Sequence, residues 1–469
     1  MRRRRTKIVA TLGPATDAPE VLDRVIAAGM DCARLNCSHG SHDDLRRRAA
    51  AVRAAAERAG RPIGLLFDLQ GPKLRLSAQT EARILEVDDT VIFCGSGGSD
   101  RPGRERVDLD RFHELVTERS QIVVGDGVPR FSVEHVEAGD VVTRVVSPGP
   151  LGPRKGINVT YARPELPAIT DKDVDDLALA AELGADFVAL SFVRSAADMQ
   201  ELRERLQALT CGARIIAKIE KIEAYEHLDD IIDVTDGVMV ARGDYGVEAG
   251  VARVPLMQKD TIARATQAGK LVITATQMLE SMIHAPEPTR AEAADVANAV
   301  IDGTSAVMLS AETGVGSYPV EAVRAMAEIA AEAERAPAIH GRARDVKPDT
   351  AGAAVMHAAI ELAHELEAEA LVVPTATGGA PRACAKYRIP RPIIAVAHDH
   401  RVADQLTLEW GVYPTLTGVA TNVDEMIDAA LSVARDAAGL PTGATVVITA
   451  GRRTGTPGAT NLIMVREIP

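Results

Sequence analysis

The sequence predicts an α/β protein: a (β/α)8 TIM barrel with an inserted all-β lid domain and a C-terminal open α/β domain. Three observations predict it. Eight short apolar runs alternate with helical patterns before residue 337, the signature of parallel βα units and the number that closes a barrel. A stretch after the third run changes texture, with short alternating runs broken by turns. Beyond a proline-containing linker (Pro337, Pro348) a second βα series begins. It is too short for a barrel and suits an open sheet.

The barrel strands begin near Lys7, Cys32, Ile63, Phe187, Arg214, Gly237, Leu271 and Ser305. Only the gap between the third and fourth is long, and it implies an insertion of roughly 90 residues beyond one ordinary repeat. That insert, about Leu76 to Arg154, carries strand-like runs at Ala82–Val87, Thr90–Cys94 and the alternating Phe131–Glu134. Turns fall at Gly125-Asp126-Gly127 and Pro148-Gly149-Pro150. A domain on the third βα loop overhangs the barrel mouth, where lids belong. A helical stretch, Val320–Arg335, ends the barrel. The last domain opens with the Ala-rich amphipathic helix Ala351–Glu365 and has strands at Ala370–Pro374, Pro392–Ala397, Ala444–Thr449 and Asn461–Val465. The division is therefore residues 1–75 and 156–337 for the barrel, 76–155 for the lid and 338–469 for the last domain.

The 469 residues are 46% hydrophobic and 25% charged, an ordinary soluble composition. Aromatics make up 3%, so Val, Ile, Leu and Ala must fill the core. A net charge of −13 argues against a nucleic-acid partner. Five scattered cysteines without CxxC spacing read as reduced thiols in a cytoplasmic protein. Arg2–Arg5 reads as a solvated tail, because the run after it is too short for a signal peptide. The chain has no apolar run long enough to span a membrane.

The chemistry gathers at strand ends. Ala217-Lys218-Ile219-Glu220 and Ala241-Arg242-Gly243-Asp244 each close an apolar run. Alternation puts Lys218 and Glu220 on one face. Two carboxylates and one lysine can then meet at one mouth. Two carboxylates plus substrate phosphate oxygens is how proteins usually hold Mg²⁺, and a lysine supplies charge for a migrating phosphoryl group. Every other barrel strand also ends in polar residues: Thr11; Arg34, Asn36, Ser38 and His39; Asp68; Ser191; Thr276; Ser310 and Glu312. Singly these suit helix caps, but jointly they converge on one mouth. Gly243 leaves room for backbone N–H groups to meet an anion. Gly71-Pro72 is a turn suited to a hinge into the lid. In the last domain Thr375-Ala376-Thr377-Gly378-Gly379 joins a strand to a helix, as a phosphate loop or equally as a capped turn.

Several motifs together resemble the pyruvate kinases. They are Ala33-Arg34-Leu35-Asn36-Cys37-Ser38-His39-Gly40, Ile216–Glu220, Met239–Asp244 and Thr274-Ala275-Thr276-Gln277-Met278-Leu279-Glu280-Ser281, followed by Pro288–Glu292 and Asp295–Ala299. The resemblance implies phosphoryl transfer from phosphoenolpyruvate to ADP, giving pyruvate and ATP, the last step of glycolysis. It implies Glu220 and Asp244 as ligands of Mg²⁺ (or Mn²⁺), and Lys218, Thr276 and Arg34 as catalytic groups. The implied substrate contacts are Arg34, Ser191, Lys218, Gly243, Asp244 and Thr276. Asn36, His39, Arg75 and Lys155 fall where the family meets the nucleotide, and Asp126 approaches nucleotide-bound metal. A homotetramer and a small phosphorylated effector are also implied, with Thr375, Thr377, Gly378 and Arg452 at the effector site.

The departures are informative. Members that use K⁺ hold it with the equivalents of Asn36, Ser38, Asp68 and the Leu69 carbonyl, and read Asp-Thr-Lys-Gly-Pro-Glu. This chain reads Asp68-Leu69-Gln70-Gly71-Pro72-Lys73. Lys73 puts an ammonium beside the cation position, so K⁺ is not expected to be required. Tyr245 stands where Leu is usual. Thr377-Gly378-Gly379 replaces the frequent Ser-Gly-Arg, which weakens the case for fructose bisphosphate as effector. Two readings compete: a Mg²⁺-dependent phosphoenolpyruvate- or pyruvate-type barrel aldolase, and a non-catalytic effector-binding relative.

Overall fold

The computed structural model describes residues 4–97, 103–125, 127–160, 167–339, 348, 350–451 and 460–469. Eight apolar runs form β1 (Lys7–Thr11), β2 (Cys32–Asn36), β3 (Gly64–Asp68), β4 (Phe187–Leu190), β5 (Arg214–Ile219), β6 (Gly237–Ala241), β7 (Leu271–Ala275) and β8 (Ala306–Leu309). They close into one parallel barrel, each strand beside its neighbours in sequence. Both faces of these strands are buried, as a sheet sheathed by helices and filled from within requires. Val9, Leu66, Phe187, Ile216, Met239, Ile273 and Met308 point inward. Their chain neighbours Ile8, Val188, Ile215, Val238, Val272 and Val307 pack outward against the helices. Leu408, from the last domain, plugs the interior from below.

The lid is built around a seven-stranded sheet and a separate two-stranded ribbon. Its sheet includes Leu74–Arg75 and Gly156–Val159, so it extends past the 76–155 boundary at both ends. Phe93, Phe112 and Phe131, half of the phenylalanines in the chain, form its core. Phe93 and Phe131 meet edge to face at 5.1 Å. The aliphatic barrel and the aromatic lid thus have separate cores.

In the last domain β9 (Ala370–Thr375), β10 (Ile393–Ala397), β11 (Val412–Leu416), β12 (Thr445–Gly451) and β13 (Thr460–Glu467) form an open sheet in the order β11-β10-β9-β12-β13. Only β13 runs antiparallel to its neighbour. Pro414 makes β11 read as a non-strand from sequence. It is tolerated because β11 is an edge.

The basic start is not the solvated tail that composition suggests. Arg4 pairs with Asp31 at 2.8 Å, and the Arg5 N–H donates to Glu334 at 2.8 Å. The Tyr413 hydroxyl donates to the Arg4 carbonyl at 2.9 Å. The two arginines therefore line the seam between barrel and last domain. Arg2 and Arg3 lie outside the described residues. All five cysteines are free thiols. Among the described residues no helix is long and apolar enough to cross a membrane.

Candidate active site

The strand ends meet at the mouth as the alternation requires. The Lys218 ammonium is the centre: it donates to Ser191 Oγ at 2.6 Å. It also lies 3.0 Å from Glu220 Oε1 and 3.2 Å from Asp68 Oδ1. Burial works against its charge, but Asp68 and Glu220 outweigh burial and hold it protonated, above the ordinary lysine range. Arg34 Nε donates to Asp68 Oδ2 at 2.7 Å, and its Nη1 to Thr11 Oγ1 at 2.9 Å. Asp68 thus sits between two cations and is held below the usual carboxylate range despite its burial. The Ser191 hydroxyl in turn donates a hydrogen bond to the Leu69 carbonyl at 2.7 Å.

Glu220 and Asp244 are the other two acids that line the mouth beside Asp68. Glu220 Oε2 accepts the Phe192 N–H at 2.8 Å. Glu220 Oε1 is buried, touches the Lys218 ammonium and accepts no hydrogen bond. Burial pushes this carboxyl up, Lys218 opposes that shift and Asp244 adds to it. A buried, ion-paired carboxylate near a second acid suits a hard divalent cation that takes its other ligands from water and substrate phosphate. Among the described residues there is no group of three or more His, Cys, Asp or Glu that could hold a metal.

Thr276 has φ +66° and Gln277 +53°. A β-branched residue there is strained, and its neighbours fix it. Arg242 donates to the Thr276 carbonyl at 2.7 Å and to the Gln277 carbonyl at 2.8 Å, and pairs with Asp295 at 2.5 Å. The Thr276 hydroxyl accepts the Gly243 N–H at 2.8 Å. That N–H, expected to face a substrate anion, is therefore engaged by Thr276 in this structure.

A small cavity of about 130 Å³ is lined by Arg34, Asn36, Ser38, His39, Asp68, Lys73, Arg75, Ser191, Lys218, Glu220, Asp244 and Thr276. Burial, then Arg75, Arg34 and Lys73, lowers the His39 imidazole from its ordinary value. A neutral histidine among three cations suits an anionic ligand. A larger cleft of about 810 Å³ opens between the lid strands and the barrel, sharing Lys73, Arg75 and Asp244 with the small one. Lys155 lines neither; its ammonium donates to the Pro150 carbonyl at 2.7 Å. Asp126 lies outside the described residues.

In the last domain Thr375 Oγ1 accepts the Gly378 N–H at 2.9 Å, Gly378 has φ +79°, and Arg382 donates to the Thr377 carbonyl at 2.9 Å. Arg452 lies outside the described residues. Sequence reasoning passed over two groups. Thr11 was read only as a strand end, yet it holds Arg34. Arg242, within the Met239–Asp244 motif, clamps Thr276; its position next to Gly243 is the signal the sequence offers.

The fold and site define a barrel phosphotransferase with a lid. Residues 3–323 match the family model for the pyruvate kinase barrel domain, and residues 353–466 that for the pyruvate kinase alpha/beta domain. The pyruvate kinase of Geobacillus stearothermophilus is 42% identical over 99% of this chain and 81% of its own length. That of Mycobacterium tuberculosis is 41% identical over 99% and 98%, and that of Clostridium perfringens 37% over 99% and 100%. The chain belongs to the pyruvate kinase family and is a phosphotransferase.

Proposed function

We propose that the mouth transfers the phosphoryl group of phosphoenolpyruvate to ADP with Mg²⁺ held by Glu220 and Asp244. The observation that carries this is the Lys218 ammonium, kept charged between Asp68 and Glu220 in one small cavity with Asp244. Mg²⁺ (or Mn²⁺) supplies charge neutralisation across substrate oxygens when bound. Lys218 and Arg34 neutralise the moving phosphoryl group, and Ser191 orients Lys218. Thr276 lines the face where the enolate carbon takes its proton. Gly243 and Asp244 offer backbone N–H groups to the substrate carboxylate, so binding exchanges the Thr276 contact for the substrate. Asn36, His39 and Arg75 meet the nucleotide phosphates, and Lys155 joins them when the lid closes and excludes water.

Lys73 takes the place of K⁺. Its presence in one small cavity with Asn36, Ser38 and Asp68 supports this, and the Leu69 carbonyl, a ligand in K⁺-using members, is already bonded to Ser191. Thr375, Thr377, Gly378 and Arg452 bind a small phosphorylated effector. The enzyme works in the cytoplasm as a homotetramer; Val251 and Leu256, 79% and 73% exposed on the single chain, support an assembly that covers them.

The test is pyruvate formation from phosphoenolpyruvate and ADP with Mg²⁺, in K⁺-free buffer and with K⁺ added. Equal ADP-dependent turnover in both is expected. Turnover only with K⁺ defeats the role of Lys73, and pyruvate release without ADP would favour an aldolase.

A further inference from the structure

The lid is tied to the barrel by a closed triangle of side chains that includes none of the residues given roles above. Asn158 lies on the last lid strand, Gly156–Val159. Its Oδ1 accepts from the Lys221 ammonium at 2.8 Å, and its Nδ2 donates to Glu248 Oε2 at 2.7 Å. Lys221 and Glu248 close the triangle at 3.0 Å. The Lys221 ammonium also lies 3.4 Å from the Val159 carbonyl. The group is desolvated: the Glu248 side chain is 1% exposed and that of Lys221 16%. Glu248 Oε1 accepts no hydrogen bond, so its carboxylate depends on these two partners.

The barrel ends of the triangle sit beside the metal acids. Lys221 is the residue after Glu220 at the end of β5. Glu248 is four residues after Asp244 on helix Arg242–Ala249, which puts the two on one helix face. Asn158 and Lys221 line the larger cleft together with Gly243 and Asp244. A shift of the lid strand therefore pulls on the backbone beside one metal acid and on the helix that carries the other.

We propose that Asn158 is a positioning residue, through which the lid strand fixes the spacing of Glu220 and Asp244, so that lid position and metal affinity are coupled. This rests on the reading of Glu220 and Asp244 as the metal pair. Lys221–Glu248 alone would join two barrel elements; Asn158 is what brings in the lid.

The experiment titrates the full-length protein with Mn²⁺, following free Mn²⁺ by electron paramagnetic resonance without substrates, and measures turnover separately. In Asn158→Ala, Mn²⁺ affinity should fall about tenfold, the lower end of the loss that follows removal of outer-shell support. The melting temperature should fall by only a few degrees, because the buried Glu248 carboxylate loses one partner and keeps Lys221. The turnover number should fall with the affinity, more than the KM for phosphoenolpyruvate rises. Mn²⁺ affinity within about twofold of the parent, whatever happens to turnover, overturns the proposal, because a tie that merely glues the lid would leave the metal unmoved. If Asn158→Ala does not fold, Asn158→Ser, which keeps a small polar side chain, is judged by the same affinity criterion. Failure of the metal assignment itself would show differently: the unaltered protein would bind Mn²⁺ no better than Glu220→Gln.

Discussion

Lys218 stands among Asp68, Glu220 and Ser191, and its charge is useful only because those neighbours outweigh burial. Lys218→Met keeps the stem and removes the charge, leaving Glu220 buried beside Asp244 without its cation. The turnover number should fall about 10²- to 10³-fold, the scale of losing one preorganised electrostatic group, with phosphoenolpyruvate still binding through Arg34. A steady-state assay checks it; loss of less than about tenfold would remove Lys218 from the centre of the mechanism. The neighbouring cation question is also decided by one residue. Lys73→Glu replaces an ammonium by a carboxylate in a cavity that already holds Asp68. Turnover in K⁺-free buffer should drop about tenfold or more and return on adding K⁺, because the cavity then lacks one positive charge. Unchanged K⁺-free turnover would mean that Lys73 faces solvent in the working enzyme.

The elements were legible to very different degrees, for physical reasons. All eight barrel strands show in the sequence because buried parallel strands are continuous apolar runs with a polar terminus. The same rule exposed Lys218, Glu220, Asp244 and Thr276. The lid was harder: Arg104–Val107, Gln121–Val124 and Asp140–Ser147 are strands, but they are short or bury polar residues such as Glu105 and Thr143 among the apolar ones, so only three of its runs stood out. β11 was hidden by Pro414. Contacts between distant elements, such as Thr11 on Arg34 or Arg4 on Asp31, have no local signature at all. Nor does Gly95, whose place in the lid becomes clear only in three dimensions. A Cβ there would lie 1.9 Å from the Asp110 carbonyl oxygen, a backbone atom that cannot step aside. Gly95→Ala should therefore loosen the strand Thr90–Gly95 and cost the lid about 1–3 kcal/mol. Hydrogen exchange should show faster opening at residues 90–95 and 104–110, with the barrel strands unchanged because the lid has its own core. Equal loosening of lid and barrel would contradict that separation.

At the scale of the whole molecule, barrel and last domain meet through a buried acid pair that shares one arginine. Arg53 donates to Asp186 at 3.0 Å and to Asp404 at 2.9 Å, and Asp186 also accepts the Leu65 N–H at 2.8 Å. Asp186 belongs to the barrel and Asp404 to helix His400–Gln405 of the last domain. Burial raises both carboxyls above the ordinary 3.8, to about 7 for Asp186 and about 6 for Asp404, although Arg53 opposes the shift. The docked state therefore holds protons that separated or unfolded chains release. The sign follows: the pair's contribution is fully present below pH 3.8, declines as pH rises, and is lost above about 7. Asp404→Asn keeps an acceptor for Arg53 and removes the second charge, so Asp186 can ionise beside its arginine. Relative to the parent, the variant should gain stability as pH rises from 5 to 7.5, by an amount on the order of 2–3 kcal/mol at the upper end. The difference in melting temperature between variant and parent, taken at both pH values, isolates this pair from the many exposed carboxylates common to both proteins. A gap that does not change with pH would mean that the two acids are hydrated in solution and that the interface is held by Arg53 without a proton. A gap that grows with pH would make domain docking proton-linked, through residues far from the mouth where the phosphoryl group moves.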